Sequence, residues 1–259
     1  VLDHGKYILG PEIDELEKKL AEYVGVKHCI SCSNGTDALL MPLMAQGVGH
    51  GDAVFVPSFT FVATAEVVSL LGATPIFVDV SCDTFCMSPQ DLERAIELIT
   101  AGRDARFRGL TPKAVIPVDL FGHPADYKAL QALADSHKLL LLEDCAQSFG
   151  ATYQGRRCGS FGQVAATSFF PAKPLGCYGD GGAIFTDDDE MAVKLRSIRV
   201  HGQGSDKYEN VRIGLNGRMD TIQAAVLLEK MSIFDEEIEL RNTVAARYSS
   251  ALAPVASIP

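Results

Sequence analysis

The chain has 259 residues, 47% of them hydrophobic and 22% charged, which is enough apolar material to bury a sizeable core as one or two domains. Its 23 Lys and Arg against 33 Asp and Glu give a formal net charge of −10, which excludes a nucleic-acid binder that depends on a basic face. The most apolar window, 61–78, is interrupted by Thr64, Gly72, Thr74 and Pro75, short of the about 20 unbroken residues of a membrane span.

Apolar runs that read as strands alternate with helical periodicity along the whole length, the signature of a parallel α/β sheet covered on both faces. In chain order the pattern predicts a helix over 13–24, a strand over 27–31, a helix over 37–45 and a strand over 53–57. A helix over 63–71, a strand over 74–80, a helix over 89–99 and a strand over 114–120 follow. Next come a helix over 126–137 and strands over 139–144, 165–170 and 182–186, then a helix over 188–201. One long amphipathic helix is expected from about 220 to 248. Pro42 lies inside a predicted helix and should kink it. The polar stretch 101–111, with Arg103, Arg106 and Arg108, reads as an exposed, solvated loop.

The seven cysteines are an odd number without disulfide-scaffold density, which points to a reducing cytoplasm. No charged start with a short apolar run and a small-residue cleavage site is present, so a secretory leader is not expected. The first residue is Val1 and the segment 253–259 stops mid-pattern, so the chain is expected to be incomplete.

In an open parallel sheet, ligands bind beyond the carboxyl ends of the strands, so polar residues just after predicted strands carry the most weight. The run Ser33-Asn34-Gly35-Thr36-Asp37 opens a helix and suits either a phosphate held by free amides or an ordinary turn and N-cap. Asp144 ends a buried strand, where a carboxylate either holds a cation such as a protonated ring nitrogen or caps the next loop. Lys173 sits between Pro171 and Pro174 in an uncharged stretch that returns through a glycine-rich turn, a setting for a Schiff-base lysine or for a lysine snorkelling from a loop. Arg218, beside the head of the last helix, either clamps a carboxylate or phosphate or is simply exposed. Cys29 and Cys32 have the spacing of half a zinc site, but one of them lies in a predicted strand and no metal is expected. Hydrolase and dinucleotide-binding motifs are missing from the sequence.

Taken in order, Tyr7 to Glu12, Asn34-Gly35-Thr36, Pro57 to Phe61, Glu143-Asp144, Ser168 to Gly182 and Asn216 to Ala225 resemble the DegT family of nucleotide-sugar aminotransferases, of pyridoxal-phosphate fold type I. The resemblance spans nearly the whole chain. It implies the α/β large domain of that fold, with a mostly parallel seven-stranded sheet and helices on both faces. Residues 1–240 would form the cofactor-binding domain, with 1–12 as its N-terminal segment, and 241–259 would begin a small C-terminal domain that is cut short.

The resemblance also assigns roles. Lys173 would bind pyridoxal 5′-phosphate as a Schiff base and Asp144 would face the ring nitrogen, the two together being the catalytic pair. Gln147 would lie near the ring oxygen, Phe61 would stack on the ring, and Gly35, Thr36 and Ser168 would hold the phosphate. Asn216 would reach the cofactor of a neighbouring subunit, which implies a homodimer with shared active sites. Arg218 and Tyr7 would contact substrate. Members with histidine at the lysine position act as dehydratases, so Lys173 favours transamination.

Within the family the wording around Lys173 and over 214–225 is most similar to enzymes that aminate a UDP-linked 3-keto hexuronic acid with L-glutamate, in surface-polysaccharide (O-antigen) synthesis. Amination at C4 of a keto-deoxy sugar, and a non-catalytic cofactor-binding or sensory protein on the same scaffold, are the alternatives. No nucleic-acid or membrane partner is expected.

Overall fold

The computed structural model describes residues 1–256 apart from Arg103 and Lys207. Its centre is a seven-stranded sheet in the order β1-β9-β8-β5-β4-β2-β3. The strands are β1 (His28–Cys32), β2 (Asp52–Pro57), β3 (Thr74–Val78), β4 (Thr111–Val115), β5 (Leu140–Asp144), β8 (Val164–Ser168) and β9 (Gly182–Thr186). Six of them run the same way, and β9 lies antiparallel between β1 and β8. The expected α/β architecture is therefore present, with one reversed strand that apolar runs alone do not reveal. A two-stranded hairpin, β6 (Thr152–Tyr153) and β7 (Arg156–Arg157), lies outside the sheet and outside the predicted set.

Alternation along each strand sends side chains to two faces. Leu140 and Leu142 join Val54, Val56, Ala166 and Ile184 in a core beneath α2 (Gly35–Ala45), α3 (Ala63–Leu70) and α6 (Asp189–Arg199). Leu141 joins Phe55, Ile76 and Val115 on the opposite face, beneath α4 (Pro89–Ala101) and α5 (Tyr127–His137). A third apolar cluster packs α1 (Pro11–Val24) and α7 (Thr221–Met231) on the β1–β9–β8 end. Cys29 and Cys32 belong to different clusters on opposite faces of β1, so they do not form half of a zinc site together.

Three expectations are corrected. The strand placed over 114–120 is Thr111–Val115. Pro117 has no N–H to continue the ladder, and Leu120 to Gly122 form a 3₁₀ turn. The single last helix is two, α7 and α8 (Phe234–Leu252), parted at Ser232 and Ile233. The Ser232 hydroxyl donates to Glu229 O at 2.6 Å, and Asp235, Glu236 and Glu237 supply the acidic first turn that favours a new helix start. Helix α2 begins at Gly35, two residues before the predicted start, with the Asn34 side chain as its cap. Pro42 lies within that helix and is buried. Stretch 101–111 contains the end of α4 and a 3₁₀ turn at Ala105–Phe107, and Arg106 and Arg108 are exposed there; Arg103 lies outside the described residues.

Candidate active site

A cavity of about 940 Å³ opens where the carboxyl ends of the parallel strands meet, bordered by the segments that follow β1, β2, β4, β5 and β8. Six residues singled out from the sequence line it together with Lys173: Gly35, Thr36, Phe61, Asp144, Gln147 and Ser168.

Asp144 is the last residue of β5 and shares the sheet face of Leu140 and Leu142, so it points where those leucines stop. It is 7% exposed. One of its oxygens accepts from Ala146 N at 3.2 Å and the other from the Thr64 hydroxyl at 3.4 Å, which itself contacts Thr60 Oγ1 at 3.0 Å. Burial pushes its carboxyl up to about 6, against the pull of the Ala146 N–H, the Lys173 charge and the Thr64 hydroxyl. A buried carboxylate so disfavoured gains most from a fixed cation placed against it.

The opposite wall is the start of α2. Gly35 and Thr36 are its first residues, and the N–H groups of a first helical turn have no acceptor inside the helix. Asn34 Oδ1 takes the Asp37 N–H at 2.8 Å, leaving the earlier amides at the cavity wall. Ser168 packs against Gly35 so closely that a Cβ there would lie 2.6 Å from Ser168 Cβ. Glycine is required for that contact, and it sets a hydroxyl beside the helix start.

Lys173 is half-buried in a turn closed by its own N–H to Phe170 O at 2.8 Å. The turn folds back through Cys177 N to Phe169 O at 2.8 Å and Phe169 N to Gly181 O at 2.7 Å, which keeps the lysine over the sheet edge. Gln147 Oε1 accepts from Phe121 N at 2.7 Å, and Phe121 holds a left-handed backbone at φ 58°. Phe61 is 68% exposed on the rim.

Asn216, Arg218 and Tyr7 are not among the described residues that line this cavity. Asn216 is exposed and pairs with Val200 in an isolated bridge, while the main chain of Tyr7 accepts from Thr221 N at 3.0 Å. Residues that sequence reasoning did not single out also line the cavity. Thr60 follows β2 closely, so the strand-end criterion applied to single hydroxyls finds it, whereas Thr64 comes from the first turn of α3. Arg241 reaches the rim from α8, donating to Pro174 O at 2.9 Å, and no local signal marks it. It does so from a helix that runs unbroken across the expected domain boundary at 240.

Residues 1–258 match the DegT/DnrJ/EryC1/StrS aminotransferase family. The chain belongs to this family. It is 54% identical over 255 residues to UDP-2-acetamido-2-deoxy-3-oxo-D-glucuronate aminotransferase of Pseudomonas aeruginosa, covering 98% of this chain and 67% of that protein. A DegT DnrJ EryC1 StrS aminotransferase from Brucella abortus superposes with a TM-score of 0.96 at 58% identity, covering all of this chain and 68% of that one. The PLP form of a sugar aminotransferase from Streptococcus pneumoniae, Spr1654, superposes at 0.87 with 28% identity, over 97% of this chain and 67% of that one. The chain thus spans about two thirds of the length of the relatives it matches. The recognition drawn from motif order and the fold it implied both hold.

Proposed function

We propose that this family member binds pyridoxal 5′-phosphate in the cavity and moves the amino group of L-glutamate to a keto group of a nucleotide-linked sugar, a UDP-linked 3-keto hexuronic acid. The observation that carries this reading is a buried, cation-seeking Asp144 and Lys173 lining one cavity with the open start of α2. The residues present fit the group. A dianionic phosphate matches the Gly35 and Thr36 amides and the Ser168 hydroxyl, a protonated ring nitrogen matches Asp144, and a flat ring matches the exposed face of Phe61. The similarity to the Pseudomonas relative supports the substrate class.

When bound, the cofactor supplies an electron sink for the carbon that bears the transferred amine. The protein supplies the rest. Asp144 would hold negative charge against the ring nitrogen, Gln147, itself held by Phe121 N, would lie beside the ring, and the α2 start would anchor the phosphate end. Lys173 Nζ would be the amine that holds the cofactor, and as a free amine it would be the base that takes and returns the substrate proton. Asn216, exposed and away from this cavity, is assigned to the cofactor of a second subunit, and Arg218 and Tyr7 to the sugar substrate, which makes the working unit a homodimer. All seven cysteines are free thiols, which supports a reducing, cytoplasmic setting. Among the described residues no helix is long and apolar enough to cross a membrane.

The test is borohydride reduction of the purified chain with pyridoxal 5′-phosphate, followed by peptide mass mapping. The label is expected on Lys173, absent in Lys173→Ala, and lost from the parent on prior treatment with L-glutamate. Labelling at another lysine, or none, overturns the assignment.

A further inference from the structure

Behind the cavity, and outside its lining, Asp119 is fully buried (0% exposed). Three donors converge on its two carboxylate oxygens. Ala125 N at 2.9 Å and the Tyr127 hydroxyl at 2.6 Å reach Oδ1, and the Ser148 hydroxyl reaches Oδ2 at 2.6 Å. Its own N–H donates to Asp144 O at 3.1 Å, and Asp144 N donates to Pro117 O at 3.0 Å. With Phe121 N on Gln147 Oε1, the segment 117–122 therefore grips the loop 144–148 at both ends and in the middle.

Two bland accounts do not cover this. Asp119, Glu143 and Cys158 are close enough to hold a metal ion, yet each of the four carboxylate oxygens already accepts a hydrogen bond from the protein, those of Glu143 from Gly159 N at 2.6 Å and Phe161 N at 2.7 Å. Core stability alone does not call for a buried carboxylate either, because apolar packing of the same volume is often as stable. A carboxylate does what a hydrocarbon cannot: it is an acceptor at two fixed points, so one side chain ties three chain segments in one geometry.

We propose that Asp119 is a positioning residue: through Ser148 and its own peptide N–H it fixes the loop that presents Asp144 and Gln147 to the cavity. This rests on the cofactor reading above. Ser148 is the link to the site, whereas Tyr127 braces the same carboxylate from the side away from it.

That asymmetry sets the test. Ser148→Ala and Tyr127→Phe each delete one hydroxyl donated to Asp119, and both are compared with the parent for thermal midpoint, pyridoxal 5′-phosphate affinity by absorbance titration, and the pH dependence of the bound absorbance band. Both variants are expected to melt at similarly lowered temperatures. Only Ser148→Ala is expected to raise the dissociation constant, about tenfold, the effect of losing one buried hydrogen bond, and to displace the pH profile. Asp119→Asn, whose oxygen can keep both Ala125 N and the Tyr127 hydroxyl while its amide N–H meets a Ser148 hydroxyl turned to accept, should fall between parent and Ser148→Ala and serves if the alanine variant does not fold. A Ser148→Ala protein with the parent's affinity and pH profile overturns the proposal, as does an equal loss in Tyr127→Phe. If the parent itself forms no Lys173 adduct, the cofactor reading fails and takes this inference with it; an intact adduct with no Ser148 effect sinks this inference alone.

Discussion

Asp144→Asn in the cofactor-free protein isolates the cost of burying the charge that the site needs. Burial raises the Asp144 carboxyl from 3.8 to about 6, and at about 1.4 kcal/mol for each pKa unit this is about 3 kcal/mol. The direction follows from linkage. Below pH 3.8 the group is protonated in both folded and unfolded chains and costs nothing. Between 3.8 and about 6 the unfolded chain has released the proton while the folded one keeps it, so stability falls as pH rises; above about 6 the whole cost is present. Asparagine carries none of it and keeps the local bonds, its carbonyl accepting from Ala146 N and its amide donating to a Thr64 hydroxyl that can turn. Urea unfolding at pH 4, 6 and 7.5 should therefore show the two proteins nearly equal at the lowest pH and the variant more stable by up to about 3 kcal/mol at the highest. Groups away from Asp144 titrate alike in both and cancel in the difference. The same variant should bind pyridoxal 5′-phosphate more weakly, since the partner for the ring nitrogen has lost its charge. Parallel pH curves for the two proteins would refute the argument.

Gly35→Ala puts a Cβ 2.6 Å from Ser168 Cβ and 3.0 Å from its Oγ, so it should lower stability by about 1–3 kcal/mol and loosen the phosphate end, read by thermal melts and cofactor titration. An alanine variant that melts and binds like the parent would show that the seam yields. Arg199→Ala removes one partner of a buried pair, Arg199 Nη1 to Glu17 Oε1 at 2.5 Å with side chains 9% and 11% exposed. Leaving Glu17 charged against only the N–H and hydroxyl of Ser31 should cost about 3–5 kcal/mol in urea unfolding, and Glu17→Gln beside it should restore part of the loss. A cost below about 1 kcal/mol, the range of exposed pairs, would place the pair in effective contact with solvent.

Much of the fold was legible because its signals are local. Apolar runs bounded by turn residues marked all seven strands of the sheet, β4 three residues late, and residues at or just beyond the ends of β1, β5 and β8 gave Gly35, Thr36, Asp144 and Lys173, because an open sheet collects such positions at one edge, while the family resemblance added Ser168. The break between α7 and α8 was written in Ser232 and the acidic run after it, but it was hidden by continuous amphipathicity. Strand direction was not legible: β9 carries the same apolar composition as its parallel neighbours, and only its pairing with β1 and β8 reverses it.

The sequence by itself placed most of the helices and strands, set Asp144 at the end of a buried strand, and put Lys173 in an uncharged turn after β8, since each depends on neighbours a few residues away. Only the tertiary structure decided that Thr64 would reach Asp144 across 80 positions, that Glu17 would meet Arg199 across 182, and that Asp119 would hold Ser148 across 29. Such bonds have no period and no spacing rule. They exist because burial strips water from a polar group and obliges it to find whatever partner the packed sheet has brought within reach.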